Sequence, residues 1–474
     1  MNDASDASFS VTFPLPFRVL SLIGLGILGW AANVHGLRAL GVDAVRALDL
    51  RPEADEYPQV AVDGGRVHRP YADPKAVYKP VYRLAVIYAT FCTVAWWFYD
   101  RSTQGNATLA NVYKFIPSIC ALCTLIMLVN PYNMLSKRTR DAFILSLRRC
   151  LNPPHNTPVY FSDVVFADVF TSYAKVIGDV WLSLLMLLPG GSLLSPPRQG
   201  GLARWILPTL MSLPYAVRLR QCLIEYFLPG NTSKKQLWNA IKYASSFPVI
   251  YLSAAQRLVV SDLVRDKGER VVDEPWHGEH ALFRLWLLAG AVNSLYSFWW
   301  DVTNDWGFDL LVPSSGSKPM PPRALVLPAL HQRDESVTSR SSSTTSPLHS
   351  HAPTSRPTHP WGLRSVLLFP LPLYAAAIFT DFVLRLTWAV KLSSHLHAHR
   401  AGEGSGLIFV LEVAEIFRRW MWVFFRVEWE VVRSPEMRRG HGDEIEALEM
   451  AADELGSDGN GHEYRYAEEH KMRG

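Results

Sequence analysis

Residues 415–426, "EIFRRWMWVFFR", place Arg418 and Arg419 side by side in a stretch otherwise made largely of Trp, Phe, Met, Ile and Val. Glu415, Arg419, Trp422 and Arg426 share one edge of a helix there, with Arg418 one step round. The same design recurs upstream. In "FADVFTSYAKVIGDVW", Asp168, Ser172, Lys175 and Asp179 fall at i, i+4, i+7 and i+11, one continuous stripe on the helical period. "PYAVRLRQCLIEY" puts Arg218, Gln221 and Glu225 at i, i+3 and i+7, with Arg220 on another face. "NAIKYASSF" sets Lys242 and Tyr243 ahead of Ser245 and Ser246, "DVTND" holds Asp301 and Asp305 four apart, and "FTDFVLRLTWAVKL" aligns Asp381, Arg385 and Trp388.

An ionisable side chain at the centre of a membrane helix costs about 2.5–3.5 kcal/mol on insertion scales, so these residues should face protein or a water-filled cavity, not lipid. Six consecutive apolar segments with one polar edge each pack most economically as a bundle with the edges turned inward. Any single acid–base pair reads equally well as a structural ion pair between helices, and Asp168, Asp179 and Glu415 suit that role. The set holds five deep cations, Arg218, Lys242, Arg385, Arg418 and Arg419, which favours more than mutual pairing. A guanidinium fork suits an oxyanion that accepts two hydrogen bonds at once, so an anion pathway is the chemistry these residues define. Asp301 and Asp305 repel each other at their spacing and require cations or water nearby. Their competing use is a metal pair for intramembrane transfer chemistry. "DVTND" offers no further acidic ligand, however, and the deep cations repel a divalent ion. Cys120 and Cys123 have no second ligand pair for zinc, and the histidines of "HLHAHR" (His395, His397, His399) read as a solvated loop. No metal, cofactor or enzymatic activity is expected, and a net charge of +4 is too small and dispersed for nucleic acid.

The elements that must hold these residues are membrane helices. The 474 residues are 49% hydrophobic and 19% charged, with 16 Trp, 18 Tyr and 22 Phe. Apolar runs near the length that crosses hydrocarbon occupy 19–38, 82–99, 111–130, 166–190, 203–225, 240–257, 281–300, 366–391 and 406–427. The expected fold is therefore all-α, a polytopic transmembrane bundle of about nine spans. Lys and Arg concentrate in 39–81, 131–165, 226–239 and beyond 427, which places the N-terminus in a lumen and the C-terminus in the cytosol; the loop 258–280 is the misfit. The domain reading is a short lumenal N-terminus (1–17), N-terminal transmembrane helices with cytosolic loops (18–165), a transport core (166–430) and a disordered cytosolic tail (431–474). The Ser/Pro-rich stretch 312–362 reads as a disordered loop within that core. Asn106-Ala107-Thr108 is an acceptor for glycosylation on the lumenal side; Asn231-Thr232-Ser233 lies on the cytosolic side.

The motifs "VDAVRALDLRP", "FADVFTS", "RLRQCLIEY", "NAIKYASSF", "SLYSFWWDVTNDWG", "DFVLRLTWAVKL" and "EIFRRWMWVFFRVEWE" resemble, in order, the EXS family, the membrane domain of eukaryotic phosphate exporters. They cover roughly residues 30–430 and are specific as a set, since seven charge-bearing patterns do not follow from hydrophobicity alone. The resemblance implies a six-helix transport core and inorganic phosphate as the ion. It implies phosphate contacts at Asp168, Arg218, Lys242, Tyr243, Asp301, Asp305, Arg385, Arg418 and Arg419, with Trp388 as a gating aromatic. No segment like the SPX sensor precedes the first span, which is similar to the ER-retention-defective group of fungal Golgi proteins. That group implies recovery of phosphate from the Golgi lumen to the cytosol, in support of glycosylation and of retention of Golgi and ER residents, and a homodimer. The alternative expectation is a sorting scaffold whose cytosolic segments recruit coat factors or Golgi glycosyltransferases without transport. Trp388 and Trp422 are expected to form an apolar constriction.

Overall fold

A computed structural model describes residues 9–48, 61–62, 66–67, 74–130, 132, 137–153, 159–194, 201–267, 281–308, 310, 362–364, 366–387 and 405–434. Trp388, the histidine cluster, the Ser/Pro-rich stretch up to residue 361 and the tail from residue 435 lie outside the described residues.

Over the described residues, every apolar run expected from the sequence overlaps a helix or a pair of helices. α1 (Leu15–Ala39) opens after Pro14, with Pro16 in its first turn where a missing N–H costs nothing. A single turn, α2 (Ala44–Ala47), is capped by the Asp43 side chain on Arg46 N–H. α3 (Pro74–Thr103) packs antiparallel on α1, followed by the short α4 (Ala107–Val112) and by α5 (Phe115–Val129). α6 (Lys137–Leu151) is an amphipathic helix with basic ends. Then come α7 (Phe161–Ser172), α8 (Ala174–Leu187), α9 (Ile206–Phe227), α10 (Lys235–Ala244), α11 (Ser246–Lys267), α12 (Ala281–Trp300), α13 (Leu371–Arg385) and α14 (Ser405–Arg433). The one departure from helix among the described regular elements is a two-residue ribbon, Ala61–Val62 paired antiparallel with Arg66–Val67.

By length and apolar composition alone, three helices qualify as spans: Leu15–Ala39, Lys75–Thr103 and Ala281–Asp305. The bent pair α7 and α8 makes a fourth if it crosses as one. α9 and α14 are 22 and 29 residues long, long enough to cross, and fall short in composition. Both carry buried charges, Arg218 in one and Glu412, Arg418, Arg419, Arg426 and Glu428 in the other, which lower the average without facing lipid.

The core is layered around α1 and α14. Phe17, Leu20, Tyr88, Tyr99, Ile116 and Cys120 join α1, α3 and α5, and the buried tyrosines spend their hydroxyls on carbonyls of the neighbouring segment, Tyr88 on Leu20 O (2.8 Å) and Tyr99 on Val11 O (3.3 Å). A second apolar cluster links α14 to the chain after Asp305 and to α13 through Trp306, Phe308, Tyr374, Trp422 and Phe425. The loops gather at two ends. At one, Ser10 and Arg18 bond Ser405, Trp96 bonds Thr12 O, and Lys114 donates to Leu188 O and Gly191 O. At the other, Arg149 holds Asp163 and Arg220 donates to Leu151 O.

The stripe expected to run unbroken from Asp168 to Asp179 is bent. α7 and α8 meet at Tyr173 at 61°. Thr171 Oγ1 donates back to Asp168 O (2.7 Å), and Tyr173 N–H closes on Phe170 O (3.0 Å), so hydroxyl and tightened turn replace the regular ladder there. A second interruption falls between α10 and α11, where Ser245 Oγ takes Lys242 O (2.7 Å) and Pro248 stands in the first turn of the next helix. A third follows α12: Asp301–Asp305 is a π-turn, with Trp306 N–H reaching Asp301 O (2.9 Å).

Candidate functional site

Residues at the first two interruptions, Thr171 and Lys242, Tyr243 and Ser246, line one cavity of about 230 Å³, with the third lying behind its wall. α10 brings Lys242 and Tyr243 to its wall, and α13 ends on Arg385, one turn past Asp381. α14 supplies Glu415, Arg418 and Arg419, and α7 supplies Thr171. Among the described residues the lining therefore holds four cations, Lys242, Arg385, Arg418 and Arg419, against one carboxylate, Glu415.

The acids sit behind the cations. Asp301, fully buried, accepts from Arg385 and lies 3.7 Å from Lys242 Nζ and 3.6 Å from Arg418 Nη1. Asp381 accepts from Arg418 Nη1 (3.1 Å) and Arg385 Nε (3.2 Å). Asp305 lies 3.4 Å from Lys242 Nζ and 3.9 Å from Arg426 Nε. The two carboxylates of "DVTND", which repulsion required to be near cations, are thus served by four of them. Asp168 accepts from Arg218 Nε (2.8 Å) and from the Tyr243 hydroxyl, while Arg218 also donates to Gln221 (2.6 Å) and lies over the Tyr243 ring at 4.9 Å. Burying a charge is costly unless it is paired and hydrogen-bonded, and each of these is.

Arg419 differs. It is buried, donates Nε to Ser172 Oγ and Nη2 to Thr171 Oγ1 (both 3.0 Å), and lies over the Trp422 ring at 4.7 Å. It forms no salt bridge with any carboxylate among the described residues; its direct contacts are two hydroxyls and a ring face. Arg418 beside it is locked in place, with Nε and Nη2 on Glu415 (2.9 and 2.7 Å) and Nη1 on Asp381.

Of the residues singled out in the sequence, Lys242, Tyr243, Arg385, Arg418 and Arg419 converge on the cavity. Asp168, Arg218, Asp301 and Asp305 form the supporting layer behind it. Trp422 does not line the cavity as a constricting aromatic would; it is fully buried in the α14 cluster and serves as the platform under Arg419. The charge pattern missed α12. Gly290, Asn293, Ser294 and Ser297 also line the wall, at i, i+3, i+4 and i+7, and Asn293 Oδ1 accepts from Ser245 (2.8 Å) and Ser246 (3.1 Å). That stripe of small and neutral polar residues is visible in "GAVNSLYS" once helical spacing is applied to uncharged residues too.

Such a fold and site define a class, the polytopic helical membrane proteins with a cation-lined cavity at the meeting point of broken helices. The sequence also matches the model of the EXS family over residues 13–432, and the chain belongs to that family. Protein ERD1 homolog 1 of Schizosaccharomyces pombe is 31% identical over 303 residues, covering 62% of this chain and 64% of that protein. Protein ERD1 of Kluyveromyces lactis is 29% identical over 280 residues, 58% of this chain and 59% of its own length. Solute carrier family 53 member 1 of Cricetulus griseus is 23% identical over 315 residues, 64% of this chain and 37% of its own. In each of these pairs the match spans less than two thirds of the relative.

Proposed function

We propose that this protein is a channel or uniporter-like transporter for inorganic phosphate in an endomembrane, carrying the ion from lumen to cytosol. One observation carries the reading: the cavity presents four cations and one carboxylate, and Arg419 among the cations gives its hydrogen bonds to neutral hydroxyls only. Arg385, Arg418, Arg419 and Lys242 replace the ion's hydration shell with charge-assisted hydrogen bonds. Asp301, Asp381 and Asp305 keep those cations oriented and moderate the field so that the ion can leave. A cavity needs about 10–15 Å³ to hold one water molecule, so about 230 Å³ leaves room for a tetrahedral oxyanion with part of its hydration. The solute-carrier name of one relative agrees with transport, and the ERD1 relatives support placing the protein in the Golgi, where phosphate recovery sustains glycosylation and the retention of resident proteins. No bond-making step is required of any residue in the site.

Purified protein in proteoliposomes is expected to pass radiolabelled phosphate down its gradient. Replacing Arg418 and Arg419 together by Ala should lower that flux at least about tenfold, the effect of losing roughly 1.4 kcal/mol at the limiting state. Wild-type flux in the double variant would overturn the site; absence of flux in the unaltered protein would overturn the function.

A further inference from the structure

Glu415 is the one side chain in the described cavity lining that can only accept a hydrogen bond. The lysine and arginines only donate, and the serine, threonine and tyrosine hydroxyls do either. The deeper carboxylates Asp168, Asp301 and Asp381 are occupied by Arg218, Arg385 and Arg418 and do not reach the lining. The Glu415 side chain keeps 36% of its surface exposed although Arg418 grips it, whereas Arg418 keeps 3%. Its oxygens receive three bonds: Ser172 Oγ and Arg418 Nη2 on Oε1 (both 2.7 Å) and Arg418 Nε on Oε2 (2.9 Å). A carboxylate offers about four acceptor positions, so one remains, on Oε2. A two-pronged pairing with Arg418 and a bond from the Ser172 hydroxyl hold the group in place.

Resting on the phosphate reading above, we infer that Glu415 selects oxyanions that carry a proton over those that carry none. At neutral pH phosphate and arsenate retain at least one O–H, which donates to the open position on Glu415 while their bare oxygens take the Arg418 and Arg419 donors. Sulfate and selenate have the same tetrahedral shape but no proton. For them the carboxylate is an unpaired negative charge facing an anion oxygen, a repulsive contact of the kind by which binding sites reject near-identical ligands. The cations supply attraction common to all four ions; Glu415 supplies the difference among them.

The test is competition against radiolabelled phosphate uptake in proteoliposomes at pH 7, using arsenate, sulfate and selenate as probes. For the unaltered protein, arsenate should compete about as well as phosphate, and sulfate and selenate at least about tenfold less well, equivalent to about 1.4 kcal/mol of discrimination. Equal competition by sulfate and arsenate would overturn the inference while leaving phosphate transport standing. In Glu415→Gln the amide can donate to a bare oxygen, so a variant that still moves phosphate should admit sulfate nearly as well as arsenate. Persistence of sulfate exclusion in that active variant would also overturn the inference. If Glu415→Gln moves nothing, Glu415→Asp decides: it keeps the acceptor and should keep the exclusion at reduced flux, and loss of exclusion there counts against the assignment. Failure of the unaltered protein to move phosphate at all is a separate outcome, which removes the parent function.

Discussion

Three cations, Arg385, Lys242 and Arg418, converge on Asp301, whose side chain is almost fully excluded from solvent. Removing one partner from a buried ionic cluster costs about 3–5 kcal/mol, because the charges left behind have neither water nor a counter-ion. Asp301→Asn is therefore expected to lower the thermal unfolding midpoint in detergent by several degrees, and saturating phosphate should recover part of it by supplying the missing negative charge. Recovery with phosphate but not with chloride would identify the cavity as the place of action; no loss of stability would contradict the cluster's described geometry. Arg419 makes the opposite case. Its partners are two hydroxyls and an indole, so Arg419→Lys keeps the charge and loses the fork. Its flux should fall, but by less than that of Arg419→Ala, and near-equal losses would mean that charge contributes little at this position.

At the scale of elements, the 61° turn between α7 and α8 is packed against α1 at one point of close approach. Tyr173 donates to Leu22 O (3.2 Å), and a Cβ on Gly26 would stand 2.3 Å from the Tyr173 hydroxyl oxygen. Overpacking of this kind costs typically about 1–3 kcal/mol. Gly26→Ala should destabilise the protein by that order in denaturation measurements, and Tyr173→Phe in the same chain should relieve part of the clash; simple additivity of the two losses would argue against direct contact. These bends were the least legible features of the sequence. "FADVFTSYAKVIGDVW" keeps a clean helical period through Tyr173, because a hydroxyl folded back onto a carbonyl leaves no trace in hydrophobic spacing. The break at Ser245 and the π-turn at Asp301 are hidden in the same way. What the sequence did disclose were the apolar runs and the charged edges of α7, α9, α10, α13 and α14, since a charge in such a run has few places to go. It could not distinguish the cations that face the cavity from the acids one layer behind, which depends on how helices distant in sequence rotate against each other. The neutral edge of α12 escaped because Asn and Ser in an apolar helix cost far less than a charge and draw less notice.

Across the whole molecule, the two acceptor asparagines lie at opposite ends. Asn106 caps α4 through Oδ1, which accepts from Thr108 N–H (2.9 Å) and its hydroxyl (2.7 Å), and its loop joins the segment around Leu188–Leu193. Asn231 is at the end where α9 finishes, and its amide nitrogen is already donated to Tyr226 O (3.0 Å) and Glu225 O (3.3 Å). With the Asn106 end in a lumen, an endoglycosidase-sensitive mobility shift should vanish in Asn106→Gln and be unaffected by Asn231→Gln. The reverse pattern would invert the orientation read from the basic loops.

The seat of Arg419 has a mechanical consequence. The two hydroxyls that hold its guanidinium belong to Thr171 and Ser172, the last residues of α7 before the bend, and Thr171 is also the residue that folds back on Asp168 O. If the proposed anion draws those N–H donors toward itself, the two hydroxyls at the end of α7 lose a partner next to the bend. Under the transport reading, occupancy of the cavity and the bend between α7 and α8 would be linked through one side chain, Arg419.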